Sequence, residues 1–220
     1  MPDGGPRRHD RVWLGGRWGA LLRTHLAPPL REAAAAWIAA GRPFVATRRD
    51  PVRPGAVALG LALAPGAPVR RVALAVDPAA VVRVAPPLAL RDVLPSAPAA
   101  WREPLAALDR AARAAGLALR VHGSLAWQHL SGAAHVGPSS DVDLLARPRD
   151  AAALRALLAL LEGAEGRGGP RLDGEVILPG ERGVAWRELR SGSARVLVKD
   201  GADVALLPRA TALGGFGGVP

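Results

Sequence analysis

The sequence predicts an α+β protein that consists of a smaller domain followed by a larger one. In the first 90 residues, short apolar segments are separated by Pro and Gly turns, as in antiparallel sheets. In the second half, strand-like segments alternate with amphipathic helices. The proline-punctuated segment 86–98 separates the two patterns. We therefore assign residues 1–90 to an N-terminal α+β domain, residues 95–212 to a second domain and residues 213–220 to a flexible tail.

The elements of the first domain follow from local signals. The alanine-rich segment 30–40 predicts a helix, and Gly41 provides the residue that stops it. Each remaining apolar run is too short for a helix and lies between turn residues, which favours a strand. Strands are expected at residues 12–14, 44–47, 56–62, 69–76 and 82–84.

In the second domain, apolar residues recur at helical spacing in two long segments, for example at Leu105, Leu108 and Ala112. The turn Pro179-Gly180 predicts a hairpin between its flanking apolar runs, with Arg187 and Glu188 on the second strand. Helices are expected at residues 98–115, 125–130 and 151–161, and strands at residues 117–122, 141–146, 172–178, 184–189 and 195–199.

The composition excludes several classes of protein. The chain has no cysteine, so it contains neither disulfides nor thiolate zinc sites. Its longest apolar run, 56–64, ends at Pro65 and is too short to span a membrane. The first residues lack the apolar core of a signal peptide. We therefore expect a cytoplasmic protein without a membrane partner.

The charge is strongly positive, at +10. Residues 1–90 carry 13 arginines and 5 acidic residues, which favours a polyanionic partner for the first domain, although a solubilising surface would look the same. Of the 29 basic residues only Lys199 is a lysine, and Gln128 is the only glutamine. Both have survived a compositional bias toward Arg, Ala, Gly and Pro, which raises the expectation of a specific role.

Two motifs in the second domain carry chemistry. Asp141 and Asp143 are separated by one residue on a predicted strand, so both carboxylates lie on the same face. Paired carboxylates repel unless a cation lies between them, which makes the pair a seat for Mg²⁺. Gly123 and Ser124 end the preceding strand at a helix entry, where backbone N–H groups bind phosphate oxygens. The alternative is an exposed turn followed by two solvated acids.

Further polar residues of the second domain extend this candidate site. Asp173 and Glu175 share one face of a predicted strand, and either could supply a third carboxylate, with Asp173 preferred. Lys199 lies on a following strand and could contact a phosphate as a point charge. No Walker-type loop or Ser-His-Asp order is present in the sequence.

The order strand, Gly-Ser, helix, strand with Asp-x-Asp, then hairpin resembles the nucleotidyltransferase superfamily, which has the polymerase-β-like fold. The resemblance implies a catalytic domain with a mixed or antiparallel sheet and flanking helices. It also implies that Gly123 and Ser124 hold the departing diphosphate, and that Asp141 and Asp143, with Asp173 as third ligand, bind Mg²⁺ or Mn²⁺.

Motifs spread over residues 7–207 narrow the resemblance to the phosphoribosyl-dephospho-CoA transferases of malonate decarboxylase, which are its holo-acyl-carrier-protein synthases. These motifs are Arg8-His9-Asp10, Gly41-Arg42-Pro43-Phe44-Val45, Arg48-Arg49, Leu59-Gly60-Leu61, Gly123-Ser124-Leu125-Ala126-Trp127-Gln128, Ser140-Asp141-Val142-Asp143-Leu144-Leu145, Leu172-Asp173-Gly174-Glu175 and Val184-Ala185-Trp186-Arg187-Glu188-Leu189.

This resemblance implies transfer of 2′-(5″-phosphoribosyl)-3′-dephospho-CoA from its 5″-triphosphate precursor to a serine of the apo acyl-carrier-protein subunit of malonate decarboxylase, with release of diphosphate. Arg48 and Arg49 would hold the CoA diphosphate or the acidic carrier protein. Two alternatives remain open: an enzyme of the same fold with another acceptor, and a non-catalytic module that binds nucleic acid. The lack of aromatic residues among the basic stretches argues against nucleic acid as a partner.

Overall fold

The computed structural model describes residues 5–67, 69–165, 168–201 and 203–216. The chain divides into two compact units, residues 1–87 and 88–220. The division falls at the start of the proline-punctuated segment. Residues 88–90, which the sequence analysis places in the first domain, belong to the second unit.

The first unit is built on a five-stranded antiparallel sheet with the strand order β4-β3-β2-β1-β5. Alternate residues of β1, β2 and β3 are the most buried, for example Val12, Phe44 and Leu59, because successive side chains point to opposite faces of a sheet. The elements are β1 (Arg11–Leu14), α1 (Pro28–Ala39), β2 (Phe44–Ala46), β3 (Val57–Ala62), β4 (Arg71–Val76) and β5 (Val81–Ala85).

The second unit is built on a seven-stranded mixed sheet with the strand order β12-β11-β10-β9-β8-β7-β6. The strands of this unit are β6 (Leu88–Ala89), β7 (Leu119–Val121), β8 (Val142–Ala146), β9 (Leu172–Leu178), β10 (Arg182–Ala185), β11 (Arg195–Lys199) and β12 (Val204–Pro208). Its helices are α2 (Leu90–Val93), α3 (Ala99–Ala114), α4 (Gly123–Ser131), α5 (Ala151–Ala164), α6 (Trp186–Arg190) and α7 (Arg209–Leu213). Both units confirm the predicted α+β class.

One face of the seven-stranded sheet forms the core of the second unit. Val142, Leu144 and Leu172 point into this core, where they pack with apolar residues of α3, α4 and α5. The next residues along the same strands, Asp143 and Asp173, must therefore point to the opposite face. We call this opposite face, away from the helical core, the aspartate face.

The structure corrects two predicted elements. Residues 186–189 were predicted to continue the hairpin, but Trp186–Arg190 forms α6, in which Trp186 and Leu189 are buried at helical spacing. Arg187 and Glu188 therefore lie on a helix and not on a strand. The predicted tail also begins too early, because Leu213 is buried at the end of α7 and residues 214–216 form a 3-10 helix. Residues 217–220 lie outside the described part of the chain.

Strands β8 and β9 are the parallel pair of the sheet, and Gly174 fixes how closely they approach. Gly174 has a φ of +125°, and a Cβ there would lie 2.7 Å from the carbonyl carbon of Leu144 and overlap its oxygen. A residue other than glycine would have to move one strand away from the other.

We expect Gly174→Ala to lower the free energy of unfolding by about 2–3 kcal/mol, because it adds backbone strain to overpacking. Urea unfolding of the purified protein measures this change. Gly137→Ala is the matched control, since a Cβ at Gly137 meets no atom within 4 Å and should change stability by only a few tenths of a kcal/mol. Equal stability of the two variants would contradict the predicted role of Gly174.

Candidate active site

Asp143 and Asp173 form the centre of the candidate site. The register of β8 and β9 aligns Asp143 with Asp173, so their Cα atoms are neighbours across the two strands. Aligned residues of adjacent strands lie about 5 Å apart with their side chains on the same face. Asp141 precedes β8 by one residue and is half-buried. All three predicted carboxylates therefore lie at the same end of these two strands.

The Gly-Ser turn meets this end of the sheet directly. Gly123 has a φ of +67°, and a Cβ there would lie 2.7 Å from Asp143 Cγ and overlap one carboxylate oxygen. The backbone N–H of His122 donates to the Asp143 carbonyl oxygen at 3.0 Å. The carboxylate of Asp143 thus packs against the backbone at the first residue of α4, which only glycine permits.

Ser124 is the second residue of α4 and is half-buried. Its hydroxyl makes no hydrogen bond within the described ranges. The first N–H groups of a helix lack intrahelical acceptors and carry the positive end of the helix dipole. The turn therefore places backbone N–H groups of the helix start next to the carboxylate of Asp143.

The structure separates the roles of Asp173 and Glu175, which the sequence left open. Glu175 is only 8% exposed and accepts a hydrogen bond from Lys199 Nζ at 3.0 Å. The two residues lie on the strands on either side of β10. They can reach each other because Gly183 and Ala185 of β10, which are their neighbours in the sheet, carry no side chain larger than a methyl group. Glu175 is thus the counter-ion of Lys199, and Asp173 is the residue aligned with Asp143.

The carboxylates are neighbours, but they do not form a ready-made metal centre. Within the ranges that the structure describes, no three His, Cys, Asp or Glu side chains converge closely enough to hold an ion. One oxygen of Asp173 accepts a hydrogen bond from the Gly174 N–H at 2.8 Å. The donor set nevertheless suits a hard divalent cation, because carboxylate oxygens at one strand end are the ligands that Mg²⁺ and Mn²⁺ prefer.

Arg187 supports the end of β9 that carries Asp173, a role that the sequence analysis did not predict. It pairs with Glu165 after α5 and donates to the Leu172 carbonyl oxygen at 2.7 Å. Leu172 directly precedes Asp173, so Arg187 fixes the strand end that carries this carboxylate. The sequence showed only that an arginine follows a tryptophan. The residues that Arg187 contacts are distant in the sequence, so the sequence could not indicate its role.

Gln128, the lone glutamine, has a structural role. Its amide nitrogen donates to the Ser96 carbonyl oxygen, and its amide oxygen accepts from the Val136 N–H at 3.0 Å. It therefore ties α4 to segments before α3 and before β8. His129 on the same helix hydrogen-bonds Ser96 at 3.0 Å.

Arg48 and Arg49 belong to the first unit and follow β2 as exposed residues. Backbone hydrogen bonds join His9 and Asp10 to Ala46, which brings the Arg8 segment beside this strand end. Burial, together with the nearby positive charge of Arg48, lowers the pKa of Arg8. The first unit therefore concentrates positive charge at one strand end.

No helix of the described residues is long and apolar enough to cross a membrane. Comparison with known proteins then decides the family. The family model of the phosphoribosyl-dephospho-CoA transferase MdcG N-terminal domain matches residues 7–87. The model of the C-terminal domain of the same family matches residues 89–210.

The chain belongs to this transferase family. The phosphoribosyl-dephospho-CoA transferase of Xanthomonas euvesicatoria pv. vesicatoria is 42% identical over 206 residues, covering 92% of this chain and 94% of the relative. That of Bradyrhizobium diazoefficiens is 36% identical over 208 residues, covering 94% and 92%. That of Azotobacter vinelandii is 33% identical, covering 92% of each. No solved structure matches the chain. Family membership makes the protein an enzyme and confirms the family predicted from the motifs.

The Lys199–Glu175 pair generates a stability prediction. Lys199→Met removes the ammonium group that donates to the buried carboxylate of Glu175, so we expect the free energy of unfolding to fall by about 2 kcal/mol, less than for a fully buried pair because a third of the lysine side chain is exposed. The double variant Lys199→Met/Glu175→Met should recover most of this loss. Urea unfolding of the four proteins in the cycle measures the coupling, and additive losses would contradict it.

Burial lowers the pKa of His135 from its ordinary value of 6.5, and its buried Nε2 atom has no hydrogen-bond partner among the residues that the structure describes. Below about pH 6.5 the unfolded chain binds a proton at this histidine that the folded chain does not bind. The free energy of unfolding should therefore decrease as the pH is lowered, until the pH is below the lowered pKa of His135 in the folded chain. His135→Leu should lose less stability than the wild type between about pH 7.5 and pH 5.5. Denaturant unfolding at both pH values tests this, and parallel pH profiles would contradict it.

Proposed function

We propose that the enzyme transfers 2′-(5″-phosphoribosyl)-3′-dephospho-CoA from its 5″-triphosphate precursor to a serine of the apo acyl-carrier-protein subunit of malonate decarboxylase, in the cytoplasm. The observation that carries the proposal is the contact of the Asp143 carboxylate with Gly123 at the start of α4. It supports a site that combines donors for an outgoing diphosphate with carboxylates for a divalent cation. The names of the relatives supply the CoA-derived group.

We propose that the second unit has the nucleotidyltransferase fold, and the order of its elements supports this proposal. Strand β7 leads into the Gly-Ser turn and α4, and β8 then brings Asp143 back beside the turn. Strand β9 adds Asp173 from the neighbouring position. These are the positions from which a phosphoryl-transfer site can be assembled on a sheet.

In the reaction, the serine oxygen of the acceptor forms a bond to the α-phosphorus of the precursor. The bond from this phosphorus to the bridging oxygen of the diphosphate breaks, the diphosphate leaves with the electron pair, and the serine proton passes to solvent. The reaction needs positioning and charge stabilisation, and no covalent enzyme intermediate. Diphosphate is released and no other co-reactant is consumed.

The residues of the chain divide this work. The Gly123 backbone and the Ser124 hydroxyl hold the outgoing diphosphate at the positive end of α4. Lys199, which Glu175 holds on the aspartate face, donates its remaining N–H groups to a phosphate of the precursor. Arg48 and Arg49 contribute from the first unit by holding the CoA diphosphate or the carrier protein.

Asp141, Asp143 and Asp173 would hold Mg²⁺, with Mn²⁺ as a substitute. When bound, the ion would neutralise phosphate oxygens and lower the pKa of the attacking hydroxyl. Gly123 is essential to this arrangement, because a Cβ in its place would displace the Asp143 carboxylate. Replacing one of these carboxylates should not destabilise the metal-free protein, since the replacement relieves the repulsion between paired carboxylates.

We expect Asp143→Asn and Asp141→Asn to abolish transfer, to less than about 1% of wild type, without lowering thermal stability. The assay incubates apo acceptor with precursor and Mg²⁺ and measures the mass increase of the acceptor. Glu162→Gln is the matched control, because Glu162 is an exposed carboxylate on α5 that pairs only with Arg190 in the described structure. We expect Ser124→Ala to lower the rate of transfer only about tenfold, since the backbone N–H donors remain.

Turnover of Asp143→Asn near that of wild type would overturn the catalytic assignment. Offering ATP and other nucleoside triphosphates beside the dephospho-CoA precursor tests the substrate. If the wild type labels the acceptor from ATP and not from the precursor, the enzyme is a nucleotidyltransferase with another substrate.

A further inference from the structure

A positively charged side chain borders the three carboxylates and has no role in the arrangement described so far. Arg171 directly precedes β9, and its carbonyl oxygen accepts a hydrogen bond from the N–H of Val142 at 2.9 Å. Its backbone therefore already belongs to the ladder that joins β8 and β9. Because Arg171 lies two residues before Asp173 on the extended chain, the side chains of both residues emerge on the aspartate face.

The register of these two strands places Arg171 beside Asp141. Val142 is aligned with Leu172, so the residues that directly precede this pair, Asp141 and Arg171, are neighbours at the strand ends. Neighbouring residues of adjacent strands lie about 5 Å apart. The long side chain of Arg171 can therefore reach the space in front of the carboxylates.

The protein itself does not compensate the charge of Arg171. The side chain is exposed and makes neither a hydrogen bond nor an ion pair within the ranges that the structure describes. Lys199, by contrast, is held by Glu175. Arg187 is held by Glu165 in the same way. Exposure alone would mean little in a chain so rich in arginine, but the position beside three carboxylates distinguishes this residue.

Arg171 is not the counter-ion of Asp141. The two residues are neighbours, yet no hydrogen bond or ion pair joins their side chains in the part of the chain that is described. A salt bridge at this point would neutralise a carboxylate that the proposed cation site requires. The arrangement therefore leaves Asp141 to the cation and Arg171 to an anionic ligand.

The Gly-Ser turn lies on the other side of β8 from Arg171. The strand order β9-β8-β7 puts β8 in the middle, β7 leads into Gly123, and β9 begins directly after Arg171. Adjacent strands lie about 4.8 Å apart, so the turn and Arg171 flank the carboxylates across about 10 Å. In the proposed function the turn holds the outgoing diphosphate, so the phosphate that stays with the transferred group lies toward Arg171.

We propose that Arg171 is a catalytic residue of the transfer reaction, which binds the α-phosphate of the precursor from the side opposite the Gly-Ser turn. The inference rests on the proposed function, in which this phosphate is transferred and the diphosphate leaves. A guanidinium group presents a planar fork of N–H donors that matches two phosphate oxygens. The negative charge on these oxygens must be stabilised while the serine oxygen attacks. Arg171 supplies positive charge there and exchanges no proton.

The kinetic test uses Arg171→Gln in the complete enzyme, with apo acceptor, precursor and Mg²⁺. We expect kcat to fall at least about thirtyfold, with the KM for the acceptor within about twofold of wild type, because the lost charge acts on the transferred phosphate. Arg171→Lys should recover part of the loss, since lysine keeps the charge but not the fork. Arg155→Gln is the matched control, an exposed arginine on α5 whose replacement should change either constant by less than about twofold.

Two kinetic results would overturn the assignment. The first is a kcat of Arg171→Gln that matches wild type, with thermal unfolding showing that the variant is folded. The second is an increase in the KM for the acceptor alone, which would assign Arg171 to a carboxylate of the acceptor and not to the precursor.

Binding measured by calorimetry tests on which side of the carboxylates Arg171 acts, and it needs no turnover. Arg171→Gln should bind the precursor at least about fivefold more weakly than wild type, but inorganic diphosphate equally well. Ser124→Ala should show the complementary defect, with about tenfold weaker binding of inorganic diphosphate. Loss of diphosphate binding in Arg171→Gln would place the arginine on the leaving group and overturn the proposal.

The choice of donor separates this inference from the proposed function. If the wild type transfers from ATP and not from the precursor, the proposed function fails, and the same variants are compared with ATP. A lower kcat of Arg171→Gln with ATP then supports the contact with the α-phosphate. If the wild type transfers the CoA-derived group and Arg171→Gln matches it, the proposed function stands and the role of Arg171 is refuted.

Discussion

The structure of the candidate site depends on one contact, that of the Asp143 carboxylate with the backbone at Gly123. The contact joins two elements that neither hydrophobic burial nor sheet pairing alone would hold at this distance. The left-handed conformation of Gly123 turns the chain from β7 into α4, and the absent side chain leaves room for the carboxylate. The carboxylate of Asp143 in the Asp-x-Asp motif can therefore take its position only because Gly123 of the Gly-Ser motif has no side chain.

The parallel pairing of β8 and β9 extends this arrangement to a second carboxylate. Helix α5 connects the two strands, and its apolar side packs into the core beneath them. Gly174 allows the strands to approach, and Arg187 holds the beginning of β9. The acidic residues are thus carried by rigid strands, and the supporting contacts come from residues with no direct role in the chemistry.

Much of this site could be predicted from the sequence, because the Gly-Ser turn and the Asp-x-Asp strand are local patterns with a fixed geometry. The alignment of Asp143 with Asp173 could not, since register depends on how α5 packs. The segment Trp186–Arg190 was misread because its burial pattern, Trp186 and Leu189 inside, becomes apparent only once the helix is packed. The partners of Lys199, Arg187 and Gln128 are 15 or more residues away or on separate segments, beyond the reach of periodicity.

The compositional bias toward arginine has a practical consequence at Lys199. Its ammonium group is the sole side-chain primary amine of the chain, and about a third of the side chain is exposed. Amine-selective reagents therefore have a single side-chain target, which lies on the sheet face that carries the aspartates. A spectroscopic label or a cross-linker can therefore be attached at Lys199 without replacing any residue.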